Sequence, residues 1–260
     1  MRLRLFISVV LMLAAASLPA SQYKKIVSLD VCTDWMLAHY ASRDQVAAMS
    51  PLLYKYPIDK EHQGWPTHDG TLEQILQIKP DLVISGEFNA SVLRARLNEL
   101  GVQVETTSLP RTLQELRDYL QHFLKLIGRD AKLPVVENVT HVAKNAPRLL
   151  LLNANANATG VGTLENKLLQ IAGWRNYMLQ AGYGKVDLEQ LVQDPPDAIL
   201  WSAPASPAMA NNLFNHPALQ QAMLNKPILV LDDGRWQCAG PWTWQQIETL
   251  TDLRKKWFTK

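Results

Sequence analysis

Three observations predict an α/β fold of two similar lobes. A helix–stop–strand unit occurs twice. Each copy lies in a run of short apolar strands alternating with helices. The stretch between the two runs has helical periodicity and no strand pattern. The first copy is Thr71 to Gly86, TLEQILQIKPDLVISG, and the second is Asp187 to Ser202, DLEQLVQDPPDAILWS. They align without a gap: Leu72 with Leu188, Glu73 with Glu189, Gln74 with Gln190, Gln77 with Gln193, Pro80 with Pro196 and Asp81 with Asp197. Within the first copy, Thr71 and Gln74 have the spacing of a capping box. Leu72, Ile75 and Leu76 form one apolar helix face. Pro80 stops the helix, and Leu82 to Ile84 read as a strand covered on both faces.

The other elements follow in order. Lys25 to Leu29 is a first strand, Asp30 to Thr33 a polar turn, and Asp34 to Tyr40 a helix. Gln45 to Ser50 is a second strand. Pro51 to Asp69 is a long irregular connection carrying Tyr54, Tyr56, His62, Trp65 and His68; connections of that length are often functional. After the repeated unit, Glu87 to Ser91 is a loop, Val92 to Leu100 a helix with Gly101 as its C-cap, and Val102 to Thr106 a strand. Leu113, Leu116, Leu120, Phe123 and Ile127 step by three and four, marking a long amphipathic helix. Pro134 opens a second helical segment to about Asn145. The second lobe starts with a strand from Arg148 to Asn153. A turn-rich loop, Asn153 to Gly162, and a helix, Thr163 to Ala172, come next. Beyond the second repeat lie helices within Asn211 to Met223, a strand at Ile228 to Leu231, and a closing helix from Thr243 to Phe258.

The chain has 260 residues, room for two modest lobes, and with 47% hydrophobic and 19% charged residues it is globular. Met1 to Ala20 has Arg2 and Arg4, an apolar run from Leu5 to Ala16, and then Ser17-Leu18-Pro19-Ala20. That is the pattern of a secretory signal peptide cleaved after Ala20. No cysteine follows closely enough for a lipoprotein attachment. Without Arg2 and Arg4, the 26 Lys and Arg residues fall to 24, equal to the 24 Asp and Glu. Near-neutral charge argues against nucleic acid or an anionic membrane surface as partner.

The signal peptide, the KIVSL opening, the LEQIL-IKPDLVI unit, the helical connector and the late PILVLDDGRWQCAGPW segment resemble the iron-complex and cobalamin substrate-binding proteins of ABC importers. The resemblance covers nearly all of the mature chain. It implies two Rossmann-like lobes joined by a long rigid helix: an N-terminal lobe at 21–110, a connector at 111–146 and a C-terminal lobe at 147–260. It implies a monomeric periplasmic carrier, not an enzyme, with no cofactor of its own. The ligand would be a cobalt- or iron-containing chelate held between lobes that move little, because a helix absorbs less dihedral change than a loop hinge. It further implies that Glu73 and Glu189, one per lobe, dock onto the permease dimer. Complementing a helix dipole is the plainer role for both.

The residues bear on this independently. Nucleophile-elbow, zincin, C-x-x-C and P-loop motifs are absent from the sequence. Instead, the loops expected at the carboxyl ends of strands, where doubly wound folds bind ligands, carry aromatics. Tyr54, Tyr56, Trp65, Trp201, Trp236 and Trp242 are candidate ligand contacts, since aromatic faces suit a flat macrocycle. Each has core packing as its alternative. Trp35, Trp174 and Trp257 sit on predicted helices and read as core. Glu87 is a polar candidate, Arg235 pairs with a ligand anion or with Asp232 or Asp233, and His62 and His68 are weak metal-ligand candidates. The lack of a basic cluster favours a corrinoid over haem or a ferric siderophore. Cys32 and Cys238, an even count in an exported chain, fit a disulfide across the cleft; a ligand-gripping thiol pair and two unpaired thiols are the alternatives. A secreted hydrolase with paired carboxylates, and a sensor or scavenger uncoupled from an importer, are the competing functions.

Overall fold

The computed structural model describes residues 23–55, 64–135, 142–202, 212–213, 215–231 and 234–258. The signal-peptide segment, Tyr56, His62, Asp232 and Asp233 lie outside these residues. In the first lobe, β1 (Ile26–Ser28), α1 (Val31–Tyr40), β2 (Val46–Ala48), α2 (Leu72–Ile78), β3 (Leu82–Gly86), α3 (Ser91–Glu99) and β4 (Val104–Thr107) alternate along the chain. Their strands form a parallel sheet in the order β2-β1-β3-β4. One connecting helix, α4 (Leu113–Leu126), follows.

The second lobe contains β5 (Arg148–Leu152), β6 (Asn157–Thr159), α5 (Leu164–Ile171), β7 (Arg175–Asn176), β8 (Tyr183–Lys185), α6 (Leu188–Gln193), β9 (Ala198–Ser202), α7 (Pro217–Ala222), β10 (Ile228–Leu231) and α8 (Thr243–Phe258). β7, β5, β9 and β10 pair in parallel. β6 and β8 continue the sheet antiparallel from the far end of β5. The fold is therefore two α/β lobes linked by a helix.

The repeat is a structural repeat, down to its hydrogen bonds. In the first lobe the Asp81 carboxylate accepts the N–H groups of Lys24 (2.7 Å) and Lys25 (2.9 Å), and Asp81 N–H donates to Lys25 O. In the second, the Asp197 carboxylate accepts Arg148 N–H (2.7 Å), and its own N–H donates to Arg148 O. Each aspartate thus clamps the strand that opens its lobe. β1 pairs with β3, and β5 with β9, in matching parallel ladders. The helix caps also correspond: Thr71 accepts from Gln74 N–H, and Asp187 from Glu189 N–H. The capping box is modified, because Gln74 Oε1 accepts from Asp69 N–H and not from Thr71 N–H. Lys79 adopts a left-handed conformation (φ 54°) to end α2 before Pro80.

Three differences from the sequence reading have physical causes. The segment from Pro134 to about Asn145 was expected to be a helix. Its described residues, 134–135 and 142–145, are not helical, so α4 is the only connecting helix among the described residues. The stretch 153–162 is not only a loop: Asn155 and Ala156, both at positive φ, reverse the chain, and β6 then satisfies its backbone against β5 and β8. β7 and β8 were not foreseen at all, being only two and three residues long.

The two lobes share a core. Side chains on one face of each sheet, among them Ile26, Leu82 and Ile84 in the first lobe and Leu149, Leu151 and Leu200 in the second, belong to one apolar cluster. Leu113, Leu116, Leu120, Phe123 and Leu124 of α4 and Leu250 of α8 join it. Full burial of such side chains contributes roughly 1.5–3 kcal/mol each. The opposite sheet faces have separate cores, built around Val27 and Val83 in one lobe and Leu150 and Ile199 in the other.

Candidate functional site

The chain leaves β1 through Leu29 and Asp30, and Asp30 caps α1. Its carboxylate accepts from Thr33 N–H (3.0 Å) and the Thr33 hydroxyl (3.1 Å). It also accepts Gly86 N–H at the end of β3 (2.7 Å). One buried carboxylate thereby fixes the carboxyl ends of two neighbouring strands. Glu87 extends the brace: its N–H donates to Thr107 O, and its Oε1 accepts Leu109 N–H (2.7 Å).

Above this brace lies a pocket between the lobes. Asp30, Cys32, Thr33, Gly86 to Asn89 and Thr107 form its first-lobe wall, Ser108 to Pro110 and Tyr119 its connector wall, and Gln237, Cys238 and Ala239 its second-lobe wall. It encloses about 70 Å³, less than the roughly 300–1,000 Å³ of ordinary small-molecule sites. An open groove of about 500 Å³ adjoins it, sharing Thr107 to Pro110 and Tyr119 and walled by Glu105, Glu115, Asp118 and His122. His122 Nε2 sits 2.7 Å from Glu105. Among the described residues, the pocket lining contains two carboxylates and no lysine, arginine or histidine.

Cys32 and Cys238 form a disulfide in the pocket wall, with Cα atoms 5.4 Å apart. Behind it, Trp35 of α1 packs edge-on against Trp242 at 6.1 Å, and Trp242 Nε1 donates to Cys238 O (2.8 Å). Gly234 packs tightly against the first lobe, since a Cβ there would lie 2.5 Å from the Trp35 ring. Below the site, Asp34 is fully buried and accepts from the N–H (2.8 Å) and hydroxyl (2.6 Å) of Ser50. Burial pushes the Asp34 carboxyl up to about 7, against the lowering effect of the Ser50 and Ser28 hydrogen bonds. Tyr119 is also pushed up, first by burial and then by the Asp30 charge.

The structure sorts the sequence candidates. Glu87, Cys32 and Cys238 line the pocket. Trp65, Trp236 and Trp242 are buried in the shared core, which is where their large apolar surfaces are best satisfied. Trp65 is covered by the Arg43 guanidinium at 5.3 Å and its carbonyl accepts the Tyr54 hydroxyl (2.6 Å), while Tyr54 itself is half exposed. Trp201 packs beside the second-lobe core, and Arg235 flanks the pocket wall without lining it. Trp35 and Trp174 are core residues, with Trp174 Nε1 donating to Leu250 O.

His68 is corrected outright. It is buried; Nδ1 accepts Gly70 N–H (2.9 Å) and Nε2 faces Ser28 O at 2.8 Å, so neither nitrogen is open to a metal. Burial holds its pKa below the usual histidine range. Among the described residues no group of three or more His, Cys, Asp or Glu is placed to hold a metal ion. Glu73 and Glu189 are both exposed. Sequence reasoning missed Phe88, Tyr119 and Gln237. The available signal for Phe88 was an apolar residue standing alone just past a buried strand.

No protein-family model matches the sequence, and no curated protein matches it. Solved structures do. A periplasmic haem-binding protein from Pseudomonas aeruginosa superposes with a TM-score of 0.65 at 20% identity, over 90% of this chain and 92% of that one. The periplasmic vitamin B12-binding protein BtuF of Vibrio cholerae gives 0.62 at 19%, over 91% and 98%. Helicobacter pylori CeuE in a nickel–histidine complex gives 0.66 at 16%, over 91% and 85%. The chain has the two-lobed, helix-linked fold of periplasmic solute-binding proteins.

Proposed function

We propose that this protein is the periplasmic substrate-binding component of an ABC importer, a carrier that captures a metal chelate between its lobes and delivers it to the permease. The observation that carries the reading is the interlobe pocket at the carboxyl ends of β1, β3 and β4, walled on its far side by Gln237 to Ala239. That is the place where open α/β sheets bind ligands. The haem, vitamin B12 and nickel–histidine ligands named for the similar structures support a metal chelate as the class of ligand. Among the described residues, two carboxylates and no cationic side chain in the lining disfavour a polyanionic ferric catecholate or citrate. A neutral or cationic chelate fits better, and a corrinoid is favoured. With so little volume enclosed, the bulk of such a ligand would lie over the mouth and the adjoining groove.

Native mass spectrometry with visible absorption, on protein incubated with cobalamin, haem and ferric siderophores, tests this. One-to-one binding of cobalamin is expected, and binding of none of them would overturn the reading. For docking, Glu73 and Glu189 occupy equivalent exposed positions in the two repeats, matching a two-fold permease. The variant carrying both Glu73→Ala and Glu189→Ala should keep ligand affinity and lose reconstituted transport. Undiminished transport would leave both as helix-end charges.

A further inference from the structure

Phe88 is the tip of the loop between β3 and α3; it lines the pocket mouth and is 75% exposed. An exposed apolar tip is ordinarily mobile, yet this loop is bound on both sides of the phenylalanine. Arg94, in α3, spreads its guanidinium beneath it. Nη2 donates to Glu87 O (2.7 Å), Nε to Asn89 O (2.8 Å) and Nη1 to the Thr106 hydroxyl (2.9 Å). The two carbonyls flanking Phe88 are thus held by one planar fork. Asn89 N–H donates back to Gly86 O, and the Glu87 carboxylate ties the same loop to Leu109.

This bracing has a thermodynamic meaning. A large apolar ring left in water gains when something flat covers it. If its loop is already ordered, covering it costs little further entropy, so more of the gain appears as affinity. We propose that Arg94 is a positioning residue that preorganises Phe88 as a fixed aromatic contact for the apolar, conjugated face of the ligand. The inference rests on the chelate-binding reading and deepens it: the ligand presents a flat apolar surface at the cleft mouth. Lysine cannot replace Arg94 in this role, because an ammonium lacks the planar, multiply donating fork.

A double-mutant cycle on binding tests this, with cobalamin and haem as the probes and affinity and thermal midpoint measured for each protein. Phe88→Ala should weaken binding of at least one probe about tenfold. Arg94→Ala and Arg94→Lys should each weaken it about three- to tenfold when Phe88 is present, and less than about twofold when it is alanine. A purely structural Arg94 would instead cost the same in both backgrounds. Equal losses in the two backgrounds, or unchanged affinity in Phe88→Ala, would overturn the proposal. Arg94→Lys keeps the charge and the helix propensity, so the cycle stands even if Arg94→Ala does not fold. Wild-type protein that binds neither probe overturns this proposal, and if it binds no ferric siderophore either, the chelate reading falls with it. That failure shows in the wild type alone, whereas failure of the Phe88–Arg94 coupling shows only among variants of a protein that binds.

Discussion

The two lobes begin alike and part at their other ends. At the amino ends, Asp81 and Asp197 clamp their opening strands through the same backbone groups. At the carboxyl ends the lobes diverge. In the first, β1 turns directly into α1, and the capping carboxylate of Asp30 reaches across to Gly86. In the second, residues 153–162 come between β5 and Thr163, the cap of α5, and extend the sheet antiparallel. The pocket follows this difference: among the described residues its lining comes largely from the first lobe, with Gln237 to Ala239 from the second. The two copies agree at the end that builds the fold and differ at the end that carries the pocket.

The largest test removes what joins the divergent ends. The Cys32–Cys238 bridge spans 206 residues of sequence, for which chain entropy gives about 5 kcal/mol. Replacing both cysteines with serine should lower unfolding free energy by several kcal/mol in chemical denaturation, with reductant reproducing the loss in the wild type. A loss below about 1 kcal/mol would mean that the shared tryptophan core, not the bridge, joins the lobes.

A second test addresses the second lobe alone. Gly160 N–H donates to Gly182 O, and a Cβ at Gly160 would lie 1.9 Å from Gln180 O and 2.8 Å from Gly182 O. Gly160→Ala must push the β6 and β8 segments apart, at a cost of about 1–3 kcal/mol. Hydrogen exchange should then quicken in β6 and β8 and stay unchanged in β1 to β4. Loss of protection in the first-lobe sheet would show that the lobes do not tolerate damage separately.

The conserved ends of the comparison can be tested with the aspartates. Asp81→Ala and Asp197→Ala should each destabilise by about 1–2 kcal/mol, as expected for charge-assisted bonds to backbone N–H groups at the surface. Asp81, with two such N–H groups against one, should cost more. If either substitution is silent in thermal unfolding, the two clamps are not equivalent.

The amino ends were legible because they repeat in sequence and obey local rules. The LEQ helices, their caps, Pro80 and the apolar strands each signal structure within a few residues. Leu113, Leu116, Leu120 and Phe123 of α4 did the same, through periodicity. Much less of the site was legible. Trp65, Trp236 and Trp242 stand on irregular segments and so resemble loop residues, yet a core spanning both lobes absorbs them. Only the joined fold determines that burial. His68 reads as a solvated loop histidine until Ser28 O and Gly70 N–H are brought to its ring. Phe88 and Arg94 lie six positions apart, and their relation depends on Thr106 and Leu109 arriving from β4 and beyond.

The last test reads stability against pH and belongs to a feature of the first lobe alone. Asp34 lies in the first turn of α1, and the matching position of α5 is Lys167, which is not buried. Burial raises the Asp34 carboxyl to about 7 from an ordinary value of 3.8, outweighing the bonds from Ser50. Between those values the folded chain holds a proton that the unfolded chain has released. Its contribution to stability is therefore complete below about pH 4, declines as pH rises, and is gone above about pH 7. Asparagine imitates the protonated group, accepting Ser50 N–H through its oxygen and donating to the Ser50 hydroxyl through its amide. Asp34→Asn should accordingly change stability little in acid and remove this decline, so that the variant gains on the wild type from pH 4 to pH 7. Thermal midpoints of both proteins across pH 4–8 isolate the effect, since every other titrating group is common to the two. Parallel curves would mean that Asp34 ionises freely despite its burial.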